Sequence, residues 1–185
     1  MGTLNPDILS EELTGALGEA AAIMRGLRQR VLIPEHLLLA FLDNESYAAH
    51  ALLARFADER GFKLGGLTEA VEGQARTRRA ANVDIDFVAP DGARVPLRDE
   101  MLEELDEGLS NAQARGEIWT GTEDALAAMC QKGVSTAGLL QKQGITPTAM
   151  TSLLGDTALA RQSTPRDLVA QAHQGELRPV DYDNV

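Results

Sequence analysis

The chain has 185 residues and a net charge of −11, from 17 Lys and Arg against 28 Asp and Glu. Hydrophobic residues make up 44 % and charged residues 24 %, enough for a core without disulfide staples and for one or two small domains. So acidic a chain is repelled by phosphate backbones and anionic lipid surfaces, which excludes general nucleic-acid and membrane binding. The single cysteine, Cys130, rules out an internal disulfide and fits a reducing, cytoplasmic compartment. No run reaches the roughly eighteen apolar residues of a membrane span. Met1 to Pro6 lacks the basic-then-apolar pattern of a signal peptide.

Helical periodicity opens the chain. Leu9, Leu13, Leu17, Ala20, Met24 and Leu27 recur at three and four residues, with Asp7 or Ser10 as cap and Glu11 and Glu12 in the first turn. Pro34 suits the first position of a second helix through Leu42. A third is expected from Tyr47 to Glu59, stopped by Gly61, and a fourth from Leu67 to Arg76. Val83 to Val88 then alternates apolar and acidic, and Asp91-Gly92 is a hairpin turn signal before Arg94-Val95. Helices resume over Leu97 to Ala112, from Thr122 (with Thr122 or Thr120 as cap), over Thr136 to Gln143, and over Pro147 to Leu154.

The two helical stretches resemble each other. Leu9, Leu13, Leu17 and Glu35-His36-x-Leu38 reappear 88 positions later as Leu97, Met101, Leu105 and Glu123-Asp124-x-Leu126. The expected architecture is all-α: two tandem four-helix repeats with a small β-hairpin inserted between them. Repeat one covers about 8–77, the hairpin about 83–96 and repeat two about 97–155, all within a 1–155 domain. Residues 156–185 read as a polar linker and the start of a further segment.

This double repeat, with Ile33-Pro34-Glu35-His36-Leu37-Leu38-Leu39-Ala40-Phe41-Leu42 and Gly121-Thr122-Glu123-Asp124-Ala125-Leu126, resembles the N-terminal domain of Clp-type AAA+ unfoldases. The tail from Asp167-Leu168 to Gly175-Glu176-Leu177-Arg178-Pro179-Val180 is similar to the segment leading into their first ATPase module. The resemblance implies a substrate- and adaptor-docking domain of an ATP-dependent unfoldase or chaperone, acting in protein quality control or proteolysis. Its partners would be unfolded or tagged proteins and adaptors. The fragment would be a monomer and the parent a hexamer through its ATPase modules. The alternative is a stand-alone accessory protein that docks on a Clp protease ring. No Gly-x-x-x-x-Gly-Lys-(Ser/Thr) motif occurs in these residues, so the fragment is expected to carry no catalytic residues and no cofactor.

His36, His50, His173 and Cys130 show no metal-ligand spacing, and Cys130 reads as a small buried hydrophobe. Glu35 and Glu123 open equivalent helices, and two readings stand for them. Each complements its helix dipole, worth about 0.3–1 kcal/mol. Alternatively, as the resemblance implies, each holds the guanidinium of a tagged substrate, with Ser10 matching a residue that helps close the first site, while Arg98, in the equivalent place before Glu123, departs from the pattern. On that reading Glu35 is partly exposed beside Ser10, and Leu9 edges a groove for unfolded segments. Trp119 is either a packed lid on the second repeat, the preferred reading, or an exposed contact.

Overall fold

A computed structural model of the chain describes residues 2–3, 6–79 and 85–162. The chain divides into two compact units, Met1–Pro147 and Thr148–Val185. The first helix, α1, spans Glu11–Gly26 and starts where the Ser10 hydroxyl accepts the Leu13 N–H at 3.0 Å. Pro34 opens α2 (Pro34–Asp43), whose next eight residues are all buried, so this helix is the central rod of repeat one. Next come α3 (Ala48–Arg60) and α4 (Leu64–Thr77). Leu13, Leu17, Leu37, Leu38, Phe41, Leu53 and Phe56 fill the core between them.

The expected hairpin is present as β2 (Ile85–Val88) and β3 (Arg94–Leu97), antiparallel with Phe87 opposite Val95. Its first two expected residues, Val83 and Asp84, lie outside the described residues. A third strand, β1 (Gly2–Thr3), pairs in parallel with β2 and had no sequence signal. The alternation gives only part of the burial. Phe87 is inside, but Val88 is 43 % exposed and Asp86 is buried, because Arg94 grips its carboxylate through Nε and Nη2 at 2.9 and 3.0 Å.

The second set of helices is α5 (Asp99–Ala114), α6 (Thr122–Met129), α7 (Ala137–Lys142) and α8 (Pro147–Gln162). The 88-residue spacing holds to the residue: Glu11 and Asp99 open α1 and α5, Gly26 and Ala114 close them, and Pro34 and Thr122 open α2 and α6. Leu97, read as the start of a helical stripe, instead closes β3. α8 runs on from Leu154 to Gln162, into the stretch read as linker, through an Ala-Leu-Ala-Arg-Gln run of good helix formers. The lead-in residues and His173 lie outside the described residues. Among the described residues no helix is long and apolar enough to cross a membrane.

Candidate functional site

Two short backbone bridges cross between the repeats. The Ser10 N–H donates to the Thr120 carbonyl at 2.9 Å, and the Thr120 N–H donates to Ile8 at 2.8 Å. Eighty-eight positions on, the Arg98 N–H donates to Leu32 at 3.0 Å, and the Leu32 N–H donates to Pro96 at 2.8 Å. Each repeat therefore lends the residue before its first helix to the other repeat. Ser10 stands by the approach to Glu123, and Arg98 stands by the approach to Glu35. Ser10 caps α1 and bonds to repeat two, while the Arg98 guanidinium donates to the Arg79 carbonyl at 2.9 Å. Leu9 is buried in the first bridge.

Glu35 is fully buried, which corrects the expectation of a partly exposed acid. Its carboxylate accepts Arg78 Nη1 at 2.8 and 3.1 Å, Gln74 Nε2 at 2.8 Å and Ser135 Oγ at 2.9 Å. Arg78 also binds Glu100 on α5, so one guanidinium joins α2 of the first repeat to α5 of the second. The guanidinium that Glu35 is suited to hold is already there, supplied by its own chain. Arg78, Gln74, Glu100 and Ser135 were not legible from spacing, since each lies far from Glu35 in sequence.

Two further buried groups flank this cluster. His36 Nδ1 accepts the Ile33 N–H at 3.2 Å, so Nε2 carries the proton and donates to Gln29 Oε1 at 2.6 Å. Burial lowers the His36 pKa to about 4, with Glu35 opposing and Arg78 reinforcing the shift. Glu104 on α5 is fully buried, and among the described residues neither carboxyl oxygen has a hydrogen-bond partner. Its burial, together with the charges of Glu100 and Glu35, pushes this carboxyl well above the carboxylate range. Cys130 is a buried thiol, pushed up to about 12 by that burial.

The start of α6 is built differently. Its cap is Gly121 rather than either threonine, and the Gly121 N–H donates to Asp124 at 2.8 Å. Asp124 repeats the role of His36 three residues into the equivalent helix. It is buried, paired with Arg115 at 2.7 Å, and pushed up to about 6, chiefly by burial. Thr122 donates to Glu12 at 2.9 Å and accepts the Ala49 N–H at 3.1 Å, tying α6 to α1 and α3. Glu123 is half-buried and, among the described residues, no hydrogen-bond or ion-pair partner reaches it. Just before it, Ile118 is 71 % and Trp119 55 % exposed, which corrects the packed-lid reading.

Two helical sets joined by exchanged backbone bridges make up the fold, and solved structures that superpose on it are Clp N-terminal domains. The chain folds as such a domain, of the ClpB, Hsp104 and ClpV type. It is 27 % identical over 186 residues to the chaperone protein ClpB of Rhizobium meliloti and 26 % identical over 193 residues to that of Mesorhizobium japonicum. Those matches cover 92 % and 96 % of this chain, which spans about one fifth of each relative (20 % and 21 %). Among solved structures, the N-domain of ClpV from Vibrio cholerae superposes with TM-score 0.61 at 14 % identity, over 82 % of this chain and 85 % of that one. The Hsp104 N-terminal domain of Candida albicans gives 0.58 at 12 %, over 78 % and 87 %. A structure described as a peptide from the EAEC T6SS Sci1 SciI protein gives 0.60 at 17 %, over 80 % and 87 %. No protein-family model matches the chain.

Proposed function

We propose that this chain is the substrate- and adaptor-docking module of an ATP-driven Clp-type chaperone, and that it docks polypeptide through the surface in front of α6. The observation that carries this reading is the exposure of Ile118 and Trp119 on a loop fixed by the Leu9–Thr120 bridge. Large apolar side chains held on rigid backbone lose little entropy on binding and bury much area, which is how interface anchors work. Glu123 supplies a polar rim that accepts backbone or guanidinium N–H groups, and Ser10 and Leu9 border the loop from the partner repeat. The fold and the matches to ClpB support the parent class. Glu35 has no part in first contact, because its carboxylate is buried and its acceptors are taken.

The test is the anisotropy of a labelled unfolded protein titrated with the chain. Ile118→Ser with Trp119→Ala weakens binding about ten-fold or more, the loss of one interface anchor, while the melting temperature holds. Unchanged affinity in that variant refutes the reading.

A further inference from the structure

The loop before α2 is the repeat-one counterpart of the Ile118–Trp119 loop, and its chemistry is opposite. A cavity of about 410 Å³ opens there, lined by the arginines Arg28, Arg30, Arg78 and Arg79 with Val31 and Ile33. Arg78 is committed to Glu35 and Glu100. Arg28, Arg30 and Arg79 are exposed and, among the described residues, their side chains have no ion-pair or hydrogen-bond partner. Three unpaired guanidinia around one cavity are out of keeping with a chain of net charge −11.

The backbone adds a second, independent observation. Arg28 has φ +60°, and among the described residues no other non-glycine has a positive φ. The equivalent residue in repeat two is Gly116, at φ +81°. The hydrogen bonds around the two match: Arg28 N–H to Arg25 and Gln29 N–H to Met24, against Gly116 N–H to Gln113 and Glu117 N–H to Ala112. The turn geometry asks for glycine, and repeat two has it. Repeat one holds an arginine there against backbone strain, as happens where a side chain is needed for function. Positive charge near the carboxyl ends of α1 and α4 complements their dipoles. That effect does not require the strained position, nor side chains left without a bonded carbonyl.

We infer that the cavity lined by Arg28, Arg30 and Arg79 receives an acidic peptide segment carrying several carboxylates, presented by a partner protein. Guanidinium forks match carboxylates bidentately, and Val31 and Ile33 give the peptide's aliphatic carbons an apolar wall. A nucleic acid would meet the −11 field of the whole chain, whereas a short acidic segment meets chiefly the local arginines. This site is separate from the one before α6, so either can fail without the other.

The experiment titrates a fluorescein-labelled oligoglutamate peptide with the full chain at about 0.1 and about 1 M salt, between which the Debye length falls from about 10 to 3 Å. Binding is expected at low salt and lost at high salt. Arg28→Gly with Arg79→Gln weakens it about ten-fold, while Trp119→Ala leaves it unchanged. Arg28→Gly suits the turn, so the variant stays folded, which a thermal melt verifies. Inorganic phosphate is the competitor that separates a peptide site from a free-anion site. If phosphate displaces the peptide as well as unlabelled peptide does, or if the arginine variant or high salt leaves affinity unchanged, or if Trp119→Ala abolishes binding, the inference is overturned.

Discussion

Between Leu27 and Ile33 the chain passes from α1 into α2 through the same hydrogen bonds that carry it from α5 into α6 between Arg115 and Gly121. The first passage shows arginines to solvent, and the second shows Ile118 and Trp119. At the helix starts the roles reverse: Glu35 is buried under Arg78, while Glu123 stands half-open and, among the described residues, unpaired. Inside the helices Ala16 of α1 faces the core where α5 places the unpartnered Glu104. A backbone held by its own hydrogen bonds leaves side chains free to diverge, so duplicated architecture supports two unlike surfaces.

The largest effect expected from breaking one half of this comparison is at Arg78. Arg78→Ala leaves Glu35 buried without its ion-pair partner, and costs about 3–5 kcal/mol in a denaturant titration. Arg115→Ala in repeat two costs less, because Asp124, already pushed up to about 6, takes up a proton instead. Equal costs would mean that the two ion pairs are equivalent.

The pH dependence separates the helix-start residues by sign. His36 is lowered from 6.5 to about 4, so its contribution is present above pH 6.5 and is lost as pH falls through about 4. At about 1.4 kcal/mol per pH unit the loss is about 3 kcal/mol, and His36→Gln removes that fall from the stability–pH curve. Asp124 is raised from 3.8 to about 6, so its contribution is present below pH 3.8 and is lost as pH rises through about 6. The stability–pH curves of His36→Gln and Asp124→Asn should therefore depart from wild type in opposite directions. Departures of the same sign would contradict the two environments described.

Smaller gains are expected where each repeat carries an unfavourable residue. Glu104→Leu replaces a buried carboxyl without partners by an apolar group of similar size, and raises stability by about 1–2 kcal/mol at neutral pH. A loss there would show that the carboxyl is satisfied. Arg28→Gly relieves the left-handed strain and raises stability by up to about 1 kcal/mol, whereas Gly116→Arg lowers it by a similar amount. The same thermal melts read both.

Much of this organisation was legible in the sequence. The leucine spacing, Pro34 and Thr122 placed the helices of both repeats, because helix faces and helix starts are local properties. The hairpin was legible from Asp91-Gly92, whereas β1 was not, since two residues of parallel pairing leave no periodicity. The site was harder. Whether a helix-start acid is open or sealed depends on Arg78 and Ser135, which the fold brings from 43 and 100 residues away. The exchange of Ser10 and Arg98 between repeats is equally non-local. The exposure of Trp119 runs against the usual burial of a lone tryptophan, and nothing local in the sequence signals it.

Trp119 is the single tryptophan of the chain, so its emission reports directly on the surface before α6. Titration of the chain with a tryptophan-free unfolded protein should shift that emission to the blue and change its intensity, saturating with the same affinity that calorimetry gives. Calorimetric binding with no change in Trp119 emission would place the docking surface elsewhere and contradict the account.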